Sequence, residues 1–180
     1  MTTLIGVQYE NGCLLVADSR TTDDSGKIYS HPEVKKIAER GPLLVAGSGE
    51  VLPCDILQHI WEPPPMSKAD RKDVYHYMIA KAMPSLRKCL MQNGFNFDEP
   101  KTDTRFQFLI AANGELFDVD DELSVSRSDT GFYAAGSGGA YAMGALLAGA
   151  DAHIAMEIAA KVTAFTAPPY ISKEQFKSIK

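Results

Sequence analysis

Thr2 stands directly behind the initiator methionine, a placement that gives an ordinary residue two reactive groups at once. A side chain this small permits removal of Met1, which would leave Thr2 with a hydroxyl and a free α-amine. Such an amine has a pKa of about 7.7–8.0 and takes up a proton near neutrality. Nucleophile and base then sit on one residue, and the β-branch restricts χ1 so that the hydroxyl is held in place. Further along stand Asp18, Lys36, Gly47 and the Ser137 of Gly136-Ser137-Gly138-Gly139. Each has a plain local reading. Asp18 can pair with Arg20 in a loop, Lys36 can be a solvated lysine interchangeable with Lys35, Gly47 can mark a turn, and the glycines around Ser137 can lead into a helix.

Other chemistries find less support. Ser137 lacks the Gly-x-Ser-x-Gly elbow of a serine hydrolase. His31, His59, His76 and His153 have no metal-ligand spacing, so no metal and no cofactor is expected. Cys13, Cys54 and Cys89 form no Cys-x-x-Cys pair, which fits a reducing cytoplasm. Asp118-Val119-Asp120-Asp121-Glu122 resembles half a calcium loop but misses the glycine and distal glutamate, so a solvated turn is expected. A formal charge of −5 argues against a nucleic-acid partner. No apolar run approaches the roughly 20 residues of a membrane helix, and the N-terminus does not read as a secretory signal.

These groups need a scaffold, and 180 residues suffice for one domain over 1–180, with 45% apolar and 23% charged residues. Strands are expected over Thr3–Tyr9 and Cys13–Ala17 around the Glu10-Asn11-Gly12 turn, then over Lys27–Ser30, Val34–Ala38 and Leu43–Ala46. A helix over Val51–Trp61 stops at Pro63-Pro64-Pro65. A long second helix takes Ser67 as its N-cap and runs to about Gln92, kinked at Pro84 and ended by Asn93-Gly94. Val74, Tyr77, Met78 and Lys81 lie near one face of it. Strands follow over Arg105–Ala112 and Glu115–Val119, joined at Asn113-Gly114, and over Leu123–Ser126 and Phe132–Ala135. Helices then cover Ala140–Leu147 and Asp151 to about Phe165. Runs of hairpins alternating with runs of helices predict an α+β fold with antiparallel sheets and helices on their outer faces.

Taken in order, Thr2-Thr3-Leu4-Ile5-Gly6, Cys13-Leu14-Leu15-Val16-Ala17-Asp18-Ser19-Arg20-Thr21-Thr22, Val34-Lys35-Lys36-Ile37, Val45-Ala46-Gly47-Ser48-Gly49 and Ala135-Gly136-Ser137-Gly138-Gly139 resemble the proteasome β subunits and the HslV peptidase. These are N-terminal-nucleophile hydrolases, and the length is closest to compact bacterial or viral relatives. The resemblance implies a four-layer αββα sandwich and a threonine-type endopeptidase. It makes Thr2 the nucleophile and, through its amine, the proton acceptor. Lys36 becomes a buried ammonium that lowers the pKa of that amine, and Asp18 its partner. The Gly47 N–H faces the developing oxyanion, and the Ser137 hydroxyl lies near the amine and shuttles its proton.

The resemblance further implies a homo-oligomeric ring, an unfoldase ATPase as partner, and peptides or unfolded protein as substrate. Trp61, Phe95 and Phe97 are candidate subunit contacts, with core packing as the other account of Trp61. One stretch departs from the pattern. Where the family places an aspartate followed three and four residues on by serine and glycine, this chain reads Thr163-Ala164-Phe165-Thr166-Ala167-Pro168-Pro169. Thr166 stands in for the serine, whereas Thr163 or Ala164 replaces the carboxylate. The monovalent cation that some relatives bind near this loop is not carried over. Two alternatives stay open: a non-catalytic ring or shell subunit, and a small-molecule amidohydrolase.

Overall fold

The computed structural model describes residues 2–22, 25, 27–29, 35–99 and 104–178. Strands β1 (Thr3–Gln8) and β2 (Gly12–Ala17) form the first hairpin, closed by the Tyr9 N–H donating to the Gly12 carbonyl at 2.7 Å. A short pair, β3 (Thr21–Thr22) and β4 (Ile28–Tyr29), and a second hairpin, β5 (Ile37–Arg40) and β6 (Leu43–Gly49), follow. Helix α1 (Val51–Asp55) runs on as a π-helical turn over Ile56–Ile60. A 3₁₀ turn at Asp70–Lys72 precedes α2 (Val74–Tyr77), a second π-turn (Met78–Ala82) and α3 (Met83–Gln92). Then come β7 (Phe106–Ala112), β8 (Glu115–Val119), β9 (Val125–Ser126), β10 (Phe132–Gly136), α4 (Gly139–Leu147), α5 (Ala152–Val162) and β11 (Ile171–Phe176).

The strands pair antiparallel into one sheet of order β10-β1-β2-β11 and another of order β5-β6-β7-β8-β9. Period-two alternation then dictates the layers. Leu4, Leu15, Ala17, Leu44, Ala46 and Leu109 meet between the sheets. Their sequence neighbours Ile5 and Val16 point the other way, onto Ala142, Leu146, Ala155 and Met156 of α4 and α5. On the far side, Val45, Phe106, Phe108 and Ile110 pack against Ile56, Leu57, Tyr77, Met78, Leu86 and Leu90. The result is the αββα sandwich, with β2 covered on both faces as its apolar sequence requires.

Several expected elements change. The long helix is capped by Asp73, whose carboxylate accepts the His76 N–H at 3.0 Å, and not by Ser67. Ser67 instead donates its hydroxyl to the Asp70 carboxylate at 2.7 Å and accepts the Asp70 N–H at 3.2 Å, closing a separate turn. Pro84 is accommodated by the π-turn upstream of it, where the Met83 N–H reaches the Met78 carbonyl. Trp61 and Phe95 are buried in the core and do not serve as subunit contacts; Trp61 Nε1 donates to Ser85 Oγ at 3.2 Å. Phe97 packs edge-on to Phe95, with ring centroids 4.9 Å apart, under the Arg87 guanidinium.

The last helix ends at Val162 rather than Phe165, and β11 extends the sheet beyond any strand expected from the sequence. The acidic run closes a turn, with the Asp120 carboxylate accepting the Glu122 and Ser124 N–H groups, each at 2.9 Å. Met1, Ser30, His31 and Val34 lie outside the described residues. No described helix is long and apolar enough to cross a membrane.

Candidate active site

Each element delivers one part of a site at the start of β1. Thr2 precedes that strand, in phase with Leu4, whose side chain enters the space between the sheets. Its carbonyl accepts the Ser137 N–H at 2.9 Å and the Ser137 hydroxyl at 3.4 Å, where β10 gives way to α4. Gly136 is required there. Its φ is 82°, and a Cβ would sit 1.9 Å from the Thr2 carbonyl oxygen and 2.5 Å from Ser48 Oγ.

Asp18, at the end of β2, is fully buried and organises its surroundings through both carboxylate oxygens. Oδ1 accepts the Thr3 N–H at 2.9 Å and the Lys36 ammonium at 2.8 Å. Oδ2 accepts the Arg20 N–H at 3.0 Å and the Ala167 N–H at 3.4 Å. Lys36 also donates to the Arg20 carbonyl. Burial pulls the Lys36 pKa below the ordinary lysine range, and the Asp18 charge opposes that shift. Asp18 therefore pairs with Lys36, and Arg20 enters through its backbone; its guanidinium reaches away to the Ala164 carbonyl at 2.6 Å.

Gly47 lies just beyond the last β5 pairing, Ile37 with Ala46, while β7 continues alongside β6 as far as Gly49. Among the described residues the stretch 47–49 thus has a strand on one side alone. On the face where a side chain would stand, Gly47 abuts Phe108 and Cys54, whose thiol burial pushes up to about 12, with Asp55 raising it further and Lys36 opposing.

The fourth part follows α5. Thr163 Oγ1 accepts the Phe165 N–H at 3.2 Å and so serves its own turn. Thr166 is buried, and its hydroxyl meets the Thr3 hydroxyl at 2.5 Å. Of the sequence candidates, Asp18 and Lys36 are in direct contact, Ser137 touches the Thr2 backbone, and Thr166 reaches the site through Thr3. Thr3 itself was missed. Its signal was available in the alternation of β1, which puts it in phase with Ile5 and Val7 on the α5 side. Chemically, the assembly offers a buried ammonium held by a carboxylate that also binds the Thr3 N–H, next to Thr2.

Neither a family model nor a curated protein matches this sequence. Among solved structures, the chain is similar to Thiobacillus denitrificans BPH in complex with epoxomicin, with TM-score 0.73 and 24% identity over 99% of this chain and 100% of that one. Similarity extends to eukaryotic HslV from Trypanosoma brucei, with TM-score 0.63 and 17% identity over 97% of this chain and 99% of that one. A third likeness is to a Gly-1 mutant of Anbu from Hyphomicrobium sp. strain MC1, with TM-score 0.67 and 17% identity over 96% of this chain and 81% of that one. The chain has the four-layer αββα fold of these solved structures.

Proposed function

We propose that the chain is a threonine-type endopeptidase of the proteasome/HslV class, with Thr2, exposed by removal of Met1, as its nucleophile. The observation that carries this reading is the buried Lys36–Asp18 pair, 2.8 Å long, which also binds the Thr3 N–H and so lies beside Thr2. The Thr2 hydroxyl attacks the scissile carbonyl and passes its proton to the α-amine. The backbone N–H of Gly47 receives the oxyanion; a donor of this kind contributes about 2.7–4 kcal/mol to barrier lowering. The amine protonates the departing peptide amine, and water activated in the same way hydrolyses the ester. Lys36 keeps positive charge near the amine and favours its neutral form. The Ser137 hydroxyl completes the proton path. Hydrolysis of fluorogenic peptides by the purified protein tests this: Thr2→Ala abolishes turnover, and unchanged turnover in that variant would overturn it.

The working form we infer is a homo-oligomeric ring in the cytoplasm, fed with unfolded protein by an ATPase. Support for assembly comes from exposed apolar side chains on one half of the sandwich. Ile154, Ile158 and Val162 recur every four residues along α5, with Tyr141 and Leu147 exposed on α4. A second reading, a non-catalytic shell subunit, is favoured by the absence of a carboxylate from 163–167. Intact mass separates the two, since retained Met1 leaves no free amine on Thr2.

A further inference from the structure

The stretch 163–167 holds no carboxylate, and two hydroxyls meet there. Thr3 Oγ1 and Thr166 Oγ1 lie 2.5 Å apart, both side chains buried, and either hydroxyl can donate. Gly138 closes over them. A Cβ there would stand 2.2 Å from Thr3 Oγ1 and 2.8 Å from Thr166 Oγ1, so the helix-leading loop has to offer a bare backbone. The segment carrying Thr166 is tied to the same wall by three further bonds. The Ala167 N–H reaches Asp18, the Ser19 N–H reaches the Ala167 carbonyl at 3.3 Å, and Arg20 reaches the Ala164 carbonyl. Thr3 thus makes contacts in three directions: its N–H to Asp18 Oδ1, its carbonyl to the Asp18 N–H at 3.2 Å, and its hydroxyl to Thr166.

We propose that Thr3 and Thr166 are positioning residues, a hydroxyl clamp that fixes the orientation of Thr2 in place of a carboxylate. The inference rests on the peptidase reading above. Once Met1 is gone, Thr2 is held by its peptide bond to Thr3 and by the Ser137 bonds to its carbonyl, so whatever holds Thr3 helps to aim its hydroxyl. A loose anchor displaces the nucleophile without altering the surface that binds substrate.

The test follows modification of full-length protein by epoxomicin, split into its limiting rate and its half-saturating concentration. Thr3→Val and Thr166→Val each keep the β-branched shape and lose the hydroxyl. Each is expected to lower the limiting rate about tenfold and leave half-saturation within about twofold. Thr166→Ser restores most of the rate. The double variant is no slower than the worse single one, because the two residues act as a unit. A structural defect alone would not give this pattern of rate split, serine rescue and non-additivity. Wild-type rates in Thr166→Val, or single effects that multiply in the double variant, would overturn the clamp while leaving the peptidase standing. A wild-type chain that epoxomicin does not modify at Thr2 would overturn the peptidase reading, and the clamp with it.

Discussion

Two lysine–aspartate pairs of equal length occupy opposite ends of this molecule. Lys36 and Asp18 meet at 2.8 Å beside the Thr3 N–H, their side chains 8% and 0% exposed. Lys81 and Asp70 meet at 2.8 Å on the helical side, with 46% and 7% exposure. Distance does not distinguish them; surroundings do. Burial works against the charge on Lys36 and lowers its pKa, whereas hydrogen bonds from Lys81 and Ser67 hold the Asp70 carboxyl down at about 2. The first pair keeps an ammonium in a place that disfavours it, a usual condition of chemistry. The second fastens Lys81, from the second π-turn, to the turn that precedes the helix.

The largest way to break the comparison is Lys36→Met. It leaves Asp18 buried without its cationic partner, which typically costs about 3–5 kcal/mol of stability, and it removes the charge beside Thr2. Peptide turnover should fall by at least about a hundredfold, to be read alongside urea unfolding so that lost folding and lost chemistry are told apart. Next in size is Asp18→Asn. It keeps the shape but weakens the hold on Lys36 and on the Thr3 N–H, and a roughly tenfold loss of turnover is expected.

The smallest effect belongs to the outer pair. Asp70→Asn should leave turnover unchanged, because no part of the candidate site touches it. Its signature is in pH dependence. The Asp70 pKa is lowered from 3.8 to about 2, so its contribution to stability is present above about pH 4 and is lost as pH falls towards 2. Unfolding curves over that range should lose part of their acid dependence in the variant. An equal loss in wild type and variant would show that Asp70 does not carry it.

Much of this arrangement was legible beforehand, for physical reasons that differ by region. The αββα layering follows from strands such as Leu43–Gly49, whose alternate residues feed two apolar clusters. Asp18 and Lys36 were found because their order along the chain resembles a known pattern; locally each reads as an ordinary loop or surface charge. Ser67 misled because its hydroxyl bonds are local and satisfy a turn as well as a helix cap. Strand β11 was invisible because Ile171-Ser172-Lys173-Glu174-Gln175-Phe176 is an edge strand, polar at most positions and half-exposed or exposed throughout. Thr3 escaped notice because a threonine in a strand reads as a β-former, and nothing local shows that a hydroxyl 163 residues away completes it.

The central claim is that Thr2 presents its own amine and hydroxyl beside Lys36. Incubating the purified protein with epoxomicin and mapping the adduct by mass spectrometry of intact chain and peptides tests it most directly. The account predicts a chain lacking Met1 that carries a single adduct on Thr2, absent in Thr2→Ala. A chain that retains Met1, or an adduct that persists in Thr2→Ala, would contradict it.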